Sequence, residues 1–156
     1  MQISLFSSMP MKDIVVNRKA YHDFFIEESF EAGMALAGSE IKSVRKGKVS
    51  LKEAYVTFSG GEAFVKGMHI AEYKEATYNN HDETRDRKLL LHKREISRLA
   101  SKCKIQGYTC VPLRLYFKDG RVKIEIALAK GKTLYDKRES DKKKTMERQA
   151  KQLLRR

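Results

Sequence analysis

The chain has 156 residues, with 33 basic against 20 acidic side chains and a net charge of +13. That length suits one compact domain with an appendage, and that charge calls for a polyanionic partner, because each neutralised phosphate releases condensed counterions. No apolar run approaches the roughly 18 residues of a spanning helix, and the opening MQISLFSSMP lacks the basic start and apolar stretch of a signal peptide, so a cytoplasmic protein is expected.

In chain order, residues 1–11 read as a loose extension, with Met11 a natural beginning. A short helix is expected around VVNRKAYHD. A strand region follows in HDFFIEESFEAGMAL, with Phe24, Ile26, Met34 and Leu36 facing inward. GSEIKSVRKG has the pattern of a helix of about two turns, N-capped by Ser39 and stopped by Gly47. AYVTFSGGEAFVKGMHI reads as a hairpin with Gly60-Gly61 at its tip, and YNNHDETRD as a polar loop. RKLLLHKREISRLASKCKIQG is expected to form a long amphipathic helix. Leu89, Ile96, Leu99, Ala100 and Cys103 share one face, Arg94, Arg98 and Lys102 the other, and Gly107 is the stop.

The strongest local signal is VPLRLYFKDGRVKIEIALAKG. Val111, Leu113, Leu115 and Phe117 alternate with Pro112, Arg114, Tyr116 and Lys118 before Asp119-Gly120, and Val122, Ile124, Ile126 and Leu128 with Lys123, Glu125, Ala127 and Ala129 after it. Asp119 and Gly120 tolerate the positive φ of a type I′ turn. Five or six mostly antiparallel strands result. The expected class is mainly β, a small closed or partly closed barrel of the OB type with flanking helices; an α+β sandwich is the alternative. The strand pattern stops at Gly131, so the boundary separates a domain at 12–130 from a basic tail at 131–156.

Catalytic signals are thin. His81, Asp82, Glu83 and Asp86 stand close in HDETRD, residue types able to hold a hard cation, but consecutive loop residues rarely converge on one ion, and the favoured reading is a solvated loop capping the next helix. No GxSxG, HExxH or P-loop pattern accompanies them, so no enzyme activity, cofactor or metal is expected. Cys103 and Cys110 match no metal or redox spacing and read as reduced buried thiols. The binding signals are denser. NRKAYHDFF interleaves Arg18 and Lys19 with Tyr21, His22 and Phe24, and Arg114, Tyr116 and Lys123 share the outer positions of the hairpin.

From Lys132 to Arg156 there are 10 basic and 4 acidic residues, so the last 25 residues carry nearly half the net charge. Met146, Ala150, Leu153 and Leu154 make a narrow apolar stripe among Lys142, Lys143, Lys144, Arg148, Lys151, Arg155 and Arg156. Like charges at i,i+4 oppose a free helix, whereas a polyanionic wall turns that repulsion into attraction. The tail is therefore expected to be disordered in isolation and helical when bound.

The segments NRKAYHDFFIEESFEAGMAL, GSEIKSVRKGKVSLKEAYV, GMHI, NHDETRDRKLLLHKREI, GYTCVPLRLYF, GRVKIEIALAKGK and LYDKRE follow one another in the order and spacing of a known family. Over about residues 12–140 the chain resembles SmpB, the SsrA (tmRNA)-binding protein family of bacterial trans-translation. The resemblance implies an OB-like barrel with about three helices and a tail disordered in isolation. It also implies binding to the tRNA-like domain of tmRNA and delivery to stalled ribosomes, with alanyl-tmRNA and elongation factor Tu as partners and the free protein a monomer. Asn17, Glu31 and Leu90 match tmRNA-binding positions, and Arg18, Lys19, His22 and Lys88 adjoin them. Asn17 is expected to pair with a base or ribose edge, and Glu31 with a ribose hydroxyl or base amine. Leu90 packs under the RNA surface, against a base, or in the core.

GKTLYDKRE matches the segment that enters the decoding centre on small-subunit rRNA. There, the resemblance implies, Gly131 releases the chain ahead of Lys132, Tyr135 stacks on an rRNA base, Asp136 fixes the turn, and Lys137 and Arg138 face phosphates. Beyond Glu139 the match loosens. A bound helix carrying Met146, Arg148, Ala150, Lys151, Leu153 and Leu154 is expected to reach roughly 27 Å into the vacant message path at 1.5 Å per residue. The tail thus senses an empty A site in place of codon–anticodon pairing.

Overall fold

The computed structural model describes residues 12–74 and 80–154. The expected extension at 1–11 lies outside the described residues. Nine strands and four helices are present among those described: β1 (Asp13–Val16), α1 (Arg18–Asp23), β2 (Phe24–Met34), α2 (Gly38–Arg45), β3 (Val49–Ser50), β4 (Tyr55–Ser59), β5 (Glu62–Lys66), β6 (His69–Ile70), β7 (Arg87–Leu90), α3 (Lys93–Cys103), β8 (Tyr108–Lys118), β9 (Arg121–Gly131) and α4 (Leu134–Leu154). The class is mainly β, as expected, with more strands than the periodicity gave; the additional ones, β1, β3, β6 and β7, are short.

Seven strands form one sheet in the order β1-β8-β4-β5-β7-β2-β9, and β9 also pairs with β8. The pairings from β8 through β4, β5, β7, β2 and β9 therefore return to β8. The far edge of β8 is shared, with β4 at Cys110 and β1 at Arg114–Tyr116. Both anticipated hairpins form. Asp119 (φ 51°) and Gly120 (φ 74°) make the β8–β9 turn, and Gly60 and Gly61, both at positive φ, make the β4–β5 turn. The positive φ at both central positions matches the strand twist, which fixes the register.

The long strands are bent by extra residues, since the register of β2 against β9 shifts between Ile26 and Glu28, and that of β8 between Pro112 and Arg114. The second shift corrects the inward face expected of β8. Leu115 and Phe117 pack in or against the main core with Ile124, Ile126 and Leu128, but Val111 and Leu113 lie on the opposite side. There they form a second cluster with Ala20, Ala127 and Ala129, where the small alanines let α1 approach the hairpin.

Two helix expectations are also corrected. Residues 87–90 are strand, with Arg87 and Leu89 buried and Lys88 and Leu90 exposed, so α3 begins only at Lys93. The buried arginine disguised a period-two pattern as a helical one. In α2 the N-cap is Ala37, whose N–H donates to Glu40 Oε1 (2.9 Å), while the Ser39 hydroxyl goes instead to His81.

Candidate nucleic-acid interface

Core residues Ala32, Leu89 and Ile124 alternate with outward neighbours, which places Glu31, Gly33, Leu90 and Lys123 on the outer face of one continuous sheet. Cross-strand registers set Leu90 beside Gly33, Gly33 beside Lys123, and Lys123 beside Tyr116. A second row runs Glu31, Glu125, Arg114, Val16. Leu90 is 56% exposed, which excludes the core reading. A β-carbon on Gly33 would stand 3.4 Å from Leu90 Cβ, so the glycine lets the leucine lie close over the sheet. Beside it is a groove of about 250 Å³, floored by Leu36, Ile41 and Val122 and rimmed by Arg45, Arg121 and Lys123.

Glu31 is tethered at the centre of this face. The Tyr116 hydroxyl donates to one oxygen, and Lys118 Nζ lies 3.3 Å from both. Burial opposes its charge, but the Tyr116 and Lys118 donors outweigh it and hold the carboxyl below the usual carboxylate range. The side chain remains 35% exposed, and a carboxylate has about four acceptor sites, so Glu31 keeps capacity for a donor on a ligand. Tyr116 itself is buried, with the Arg114 guanidinium 4.3 Å from its ring centroid. Arg114 also binds Glu125 (3.2 Å) and Asp13 (2.6 Å). The expected outer face of Arg114, Tyr116 and Lys123 therefore exists, but Tyr116 supports Glu31 rather than offering a free ring.

Strand β7 is pinned by a buried ion cluster that sequence reasoning did not identify. Glu40 and Arg87 both have fully buried side chains, and Glu40 is paired with Arg87 and with the partly exposed Arg85. Arg87 Nη1 also donates to Met68 O (2.7 Å), and Nη2 to Glu83 O (3.2 Å). With Arg87 fixed inward, Lys88 and Leu90 must face out. Lys88 pairs with Glu62 at 3.0 Å.

The other predicted binding residues gather on α1, at the far end of the second row. Glu31 and Val16 are three strand spacings apart, about 14 Å. Asn17 departs from expectation. It is buried, its Nδ2 donates to Pro112 O (2.8 Å) and Leu51 O (3.2 Å), and its Oδ1 accepts from Ala20 N–H (3.2 Å). Every hydrogen-bonding atom of the amide is engaged inside the fold, so Asn17 caps and anchors α1 rather than presenting an edge to a base. Asn17→Ala is expected to lower the unfolding free energy by about 2 kcal/mol, from a lost cap and an unpaired buried carbonyl. Urea denaturation checks this; an unchanged midpoint would refute the anchoring role. Arg18 is exposed, and Lys19 is exposed beside Glu53 (3.4 Å).

The tail leaves β9 at Gly131 and enters α4 through a reciprocal cap. The Thr133 hydroxyl donates to Asp136 Oδ2 (2.8 Å) and accepts from Asp136 N–H (3.2 Å) at the start of the helix. Expected to be disordered alone, the tail is here one helix from Leu134 to Leu154 with no buried residue. Beyond the cap, side chains at its first turns hold it to α1. Lys137 pairs with Asp23 (3.5 Å), Lys132 Nζ bridges Tyr21 O (3.3 Å) and Ser140 Oγ (2.9 Å), and His22 binds Asp23 (2.9 Å) and Asp141 (3.0 Å). Tyr135, Arg138, Arg148, Ala150 and Lys151 are exposed, as are Met146, Leu153 and Leu154 of the apolar stripe.

His22 thus serves as a tail contact. Carboxylates only accept, so both ring nitrogens donate, and the Asp23 and Asp141 bonds raise its pKa above 6.5. Because the folded value is raised, this contact is complete below pH 6.5 and is lost as pH rises through the folded value. In an NMR titration His22 is expected to titrate above 6.5, with Asp141→Asn moving it back down. A midpoint indifferent to that substitution would mean that α4 does not rest on α1.

The HDETRD residues do not converge. His81 is buried, with Nε2 donating to Ile70 O (2.9 Å) and Nδ1 bonded to Ser39 Oγ (2.9 Å). Asp82 accepts from Thr84 N–H (3.0 Å), and Glu83 lies 3.1 Å from His69. Cys110 is buried and Cys103 half-buried, both free, and burial pushes both thiols up.

A basic β-rich domain with a cation-rimmed groove, tethered polar side chains and an unburied cationic helix has the form of a polyanion-binding protein. The SmpB protein family model matches residues 14–156, and the chain belongs to that family. It is 59% identical over 140 residues to the SsrA-binding protein of Geotalea uraniireducens (strain Rf4), covering 90% of this chain and 93% of the relative. It is 53% identical over 147 residues to that of Geobacter sulfurreducens (strain ATCC 51573 / DSM 12127 / PCA), covering 94% and 96%. A chain of the solved structure described as "tmRNA-SmpB: a journey to the center of the bacterial ribosome" superimposes with a TM-score of 0.66 at 44% identity, covering 88% of this chain and 94% of that one.

Proposed function

We propose that this chain is a non-enzymatic adaptor of trans-translation. It binds the tRNA-like domain of tmRNA through the sheet face around Glu31 and Leu90, and it brings that RNA, charged with alanine and accompanied by elongation factor Tu, to stalled ribosomes. The circular strand order supports an OB-like barrel as the platform. Lys123, Arg121 and Arg45 position phosphates, Glu31 accepts from a ribose hydroxyl or base amine, and Leu90 packs on a base. Asn17 acts indirectly by anchoring α1. The tail reads the vacant A site and message channel in the decoding centre: Tyr135 stacks, Lys137 exchanges Asp23 for phosphate, the exposed Arg138 faces phosphate, and the Met146–Leu154 stripe packs on rRNA.

One observation carries this reading. α4 is a 21-residue helix without a buried residue, and its Met146, Leu153 and Leu154 are 69%, 70% and 85% exposed. A helix of that kind has its partner outside the chain. The test is competition among tmRNA, its isolated tRNA-like domain and an unrelated hairpin for the labelled protein at fixed salt. Preference for the first two is expected. Equal affinities would reduce the protein to a generic RNA binder.

A further inference from the structure

Phe25, Lys130 and Tyr108 form one cross-strand row on β2, β9 and β8. Lys130 is two residues past Leu128 and Tyr108 two before Cys110, both core residues, so the row continues the core-facing side beyond the core's last layer. It is therefore a rim at one end of the sheet, and it lies where β9 releases the chain into α4. Its composition alternates rings and cations. Lys130 Nζ stands 5.9 Å from the Tyr108 ring centroid, and Lys132 Nζ 5.2 Å from that of Phe25. Phe25 is 47% exposed, and Ile105, from the turn before β8, is 50% exposed. Glu27 is the acidic group at the rim; it accepts from the Tyr108 hydroxyl (3.1 Å), which fixes the ring.

An apolar partner would leave two lysines to be desolvated here, whereas a nucleotide chain satisfies both halves of the pattern. We infer that this rim is a second RNA-contacting surface, separate from the Glu31–Leu90 face, which takes unpaired nucleotides with bases against Phe25 and Ile105 and phosphates on Lys130 and Lys132. Stacking on rings is tolerant of sequence, and lysines act as point charges, so the surface selects single-stranded character rather than a motif. Its place at the root of α4 makes it the first contact for RNA lying beside the tail.

The test uses the full-length chain and a fluorescently labelled 12-nucleotide unstructured oligoribonucleotide, followed by anisotropy at fixed salt. Phe25→Ala is expected to weaken binding about fivefold to tenfold, the loss of roughly one base stack. Phe25→Tyr is expected to preserve it, and Lys130→Gln to lower the salt slope by about one. Affinity for the tRNA-like domain is expected to be unchanged in all three, which distinguishes this rim from the proposed tmRNA face. Photo-cross-linking with 4-thiouridine in the oligonucleotide is expected to label the Phe25 or Tyr108 peptide. Oligonucleotide binding indifferent to Phe25→Ala, or cross-links confined to α4, would overturn the inference. Parallel loss for both RNAs would overturn it too, by showing one shared surface.

Discussion

Replacing Glu40 by alanine is expected to lower the unfolding free energy by about 3–5 kcal/mol, because it strands a charged guanidinium in the interior. Glu40 and Arg87 are both inaccessible to solvent, and Arg87 spends its remaining donors on backbone carbonyls that cannot neutralise it. The Ala37 N–H at the start of α2 loses its acceptor in the same substitution. Urea denaturation at neutral pH measures the loss, and a value below about 1 kcal/mol would refute the ion cluster as a structural pin. Acid gives a second reading. Burial works against the Glu40 charge, but the Arg85, Ala37 and Arg87 donors outweigh it and hold its pKa below the ordinary 4.5. A lowered folded value means that the contribution is present above pH 4.5 and disappears as pH falls through the folded value. The wild-type midpoint should therefore drop through that window, and the Glu40→Gln midpoint should drop less. The functional consequence runs through β7: without its pin, the strand no longer holds Lys88 and Leu90 outward.

Ending the chain after Lys130 is expected to leave affinity for the tRNA-like domain within about twofold while abolishing tagging on stalled ribosomes. The reason is geometric. Glu31, Leu90, Arg121 and Lys123 all precede the cut, and no residue of α4 is buried, so its removal exposes no core. The energetic cost is limited to the end of the β9 pairings, where the Gly131 N–H donates to Gly107 O and the Lys132 N–H to Asp23 O, and to partly exposed ion pairs such as Lys137–Asp23, worth less than about 1 kcal/mol each. Loss of RNA binding in the truncated protein would show that the sheet face is not the main platform. Within the tail, Asp at both Leu153 and Leu154 should harm tagging more than Lys142→Ala. The reverse order would mean that charge alone, without packing of the stripe, drives the ribosomal step.

Family membership was legible from the chain, and so were both hairpins. The candidate site was legible only in part. Glu31 and Leu90 stand exposed and near each other, and Lys123 beside them was already visible in the period-two pattern. Arg45 and Arg121 escaped notice because they reach the Leu90 groove from separate elements, α2 and the start of β9. Asn17 shared a motif with exposed cations, yet it is buried.

What the sequence determined by itself is whatever neighbours within a few residues decide. Asp119-Gly120 and Gly60-Gly61 set turns through their tolerance of positive φ, Thr133 and Asp136 cap a helix, and the spacing from Met146 to Leu154 sets a stripe. What only the tertiary structure decided is where buried polar groups find partners. Asn17 meets Pro112 across 95 residues and Leu51 across 34, and Arg87 meets Glu40 across 47. A buried amide or charge is tolerable only when such a partner arrives, and no local pattern announces its arrival. The same dependence turned residues 87–90 from an apparent helix start into a strand, because Arg87 occupies an interior position that sequence alone assigns to water.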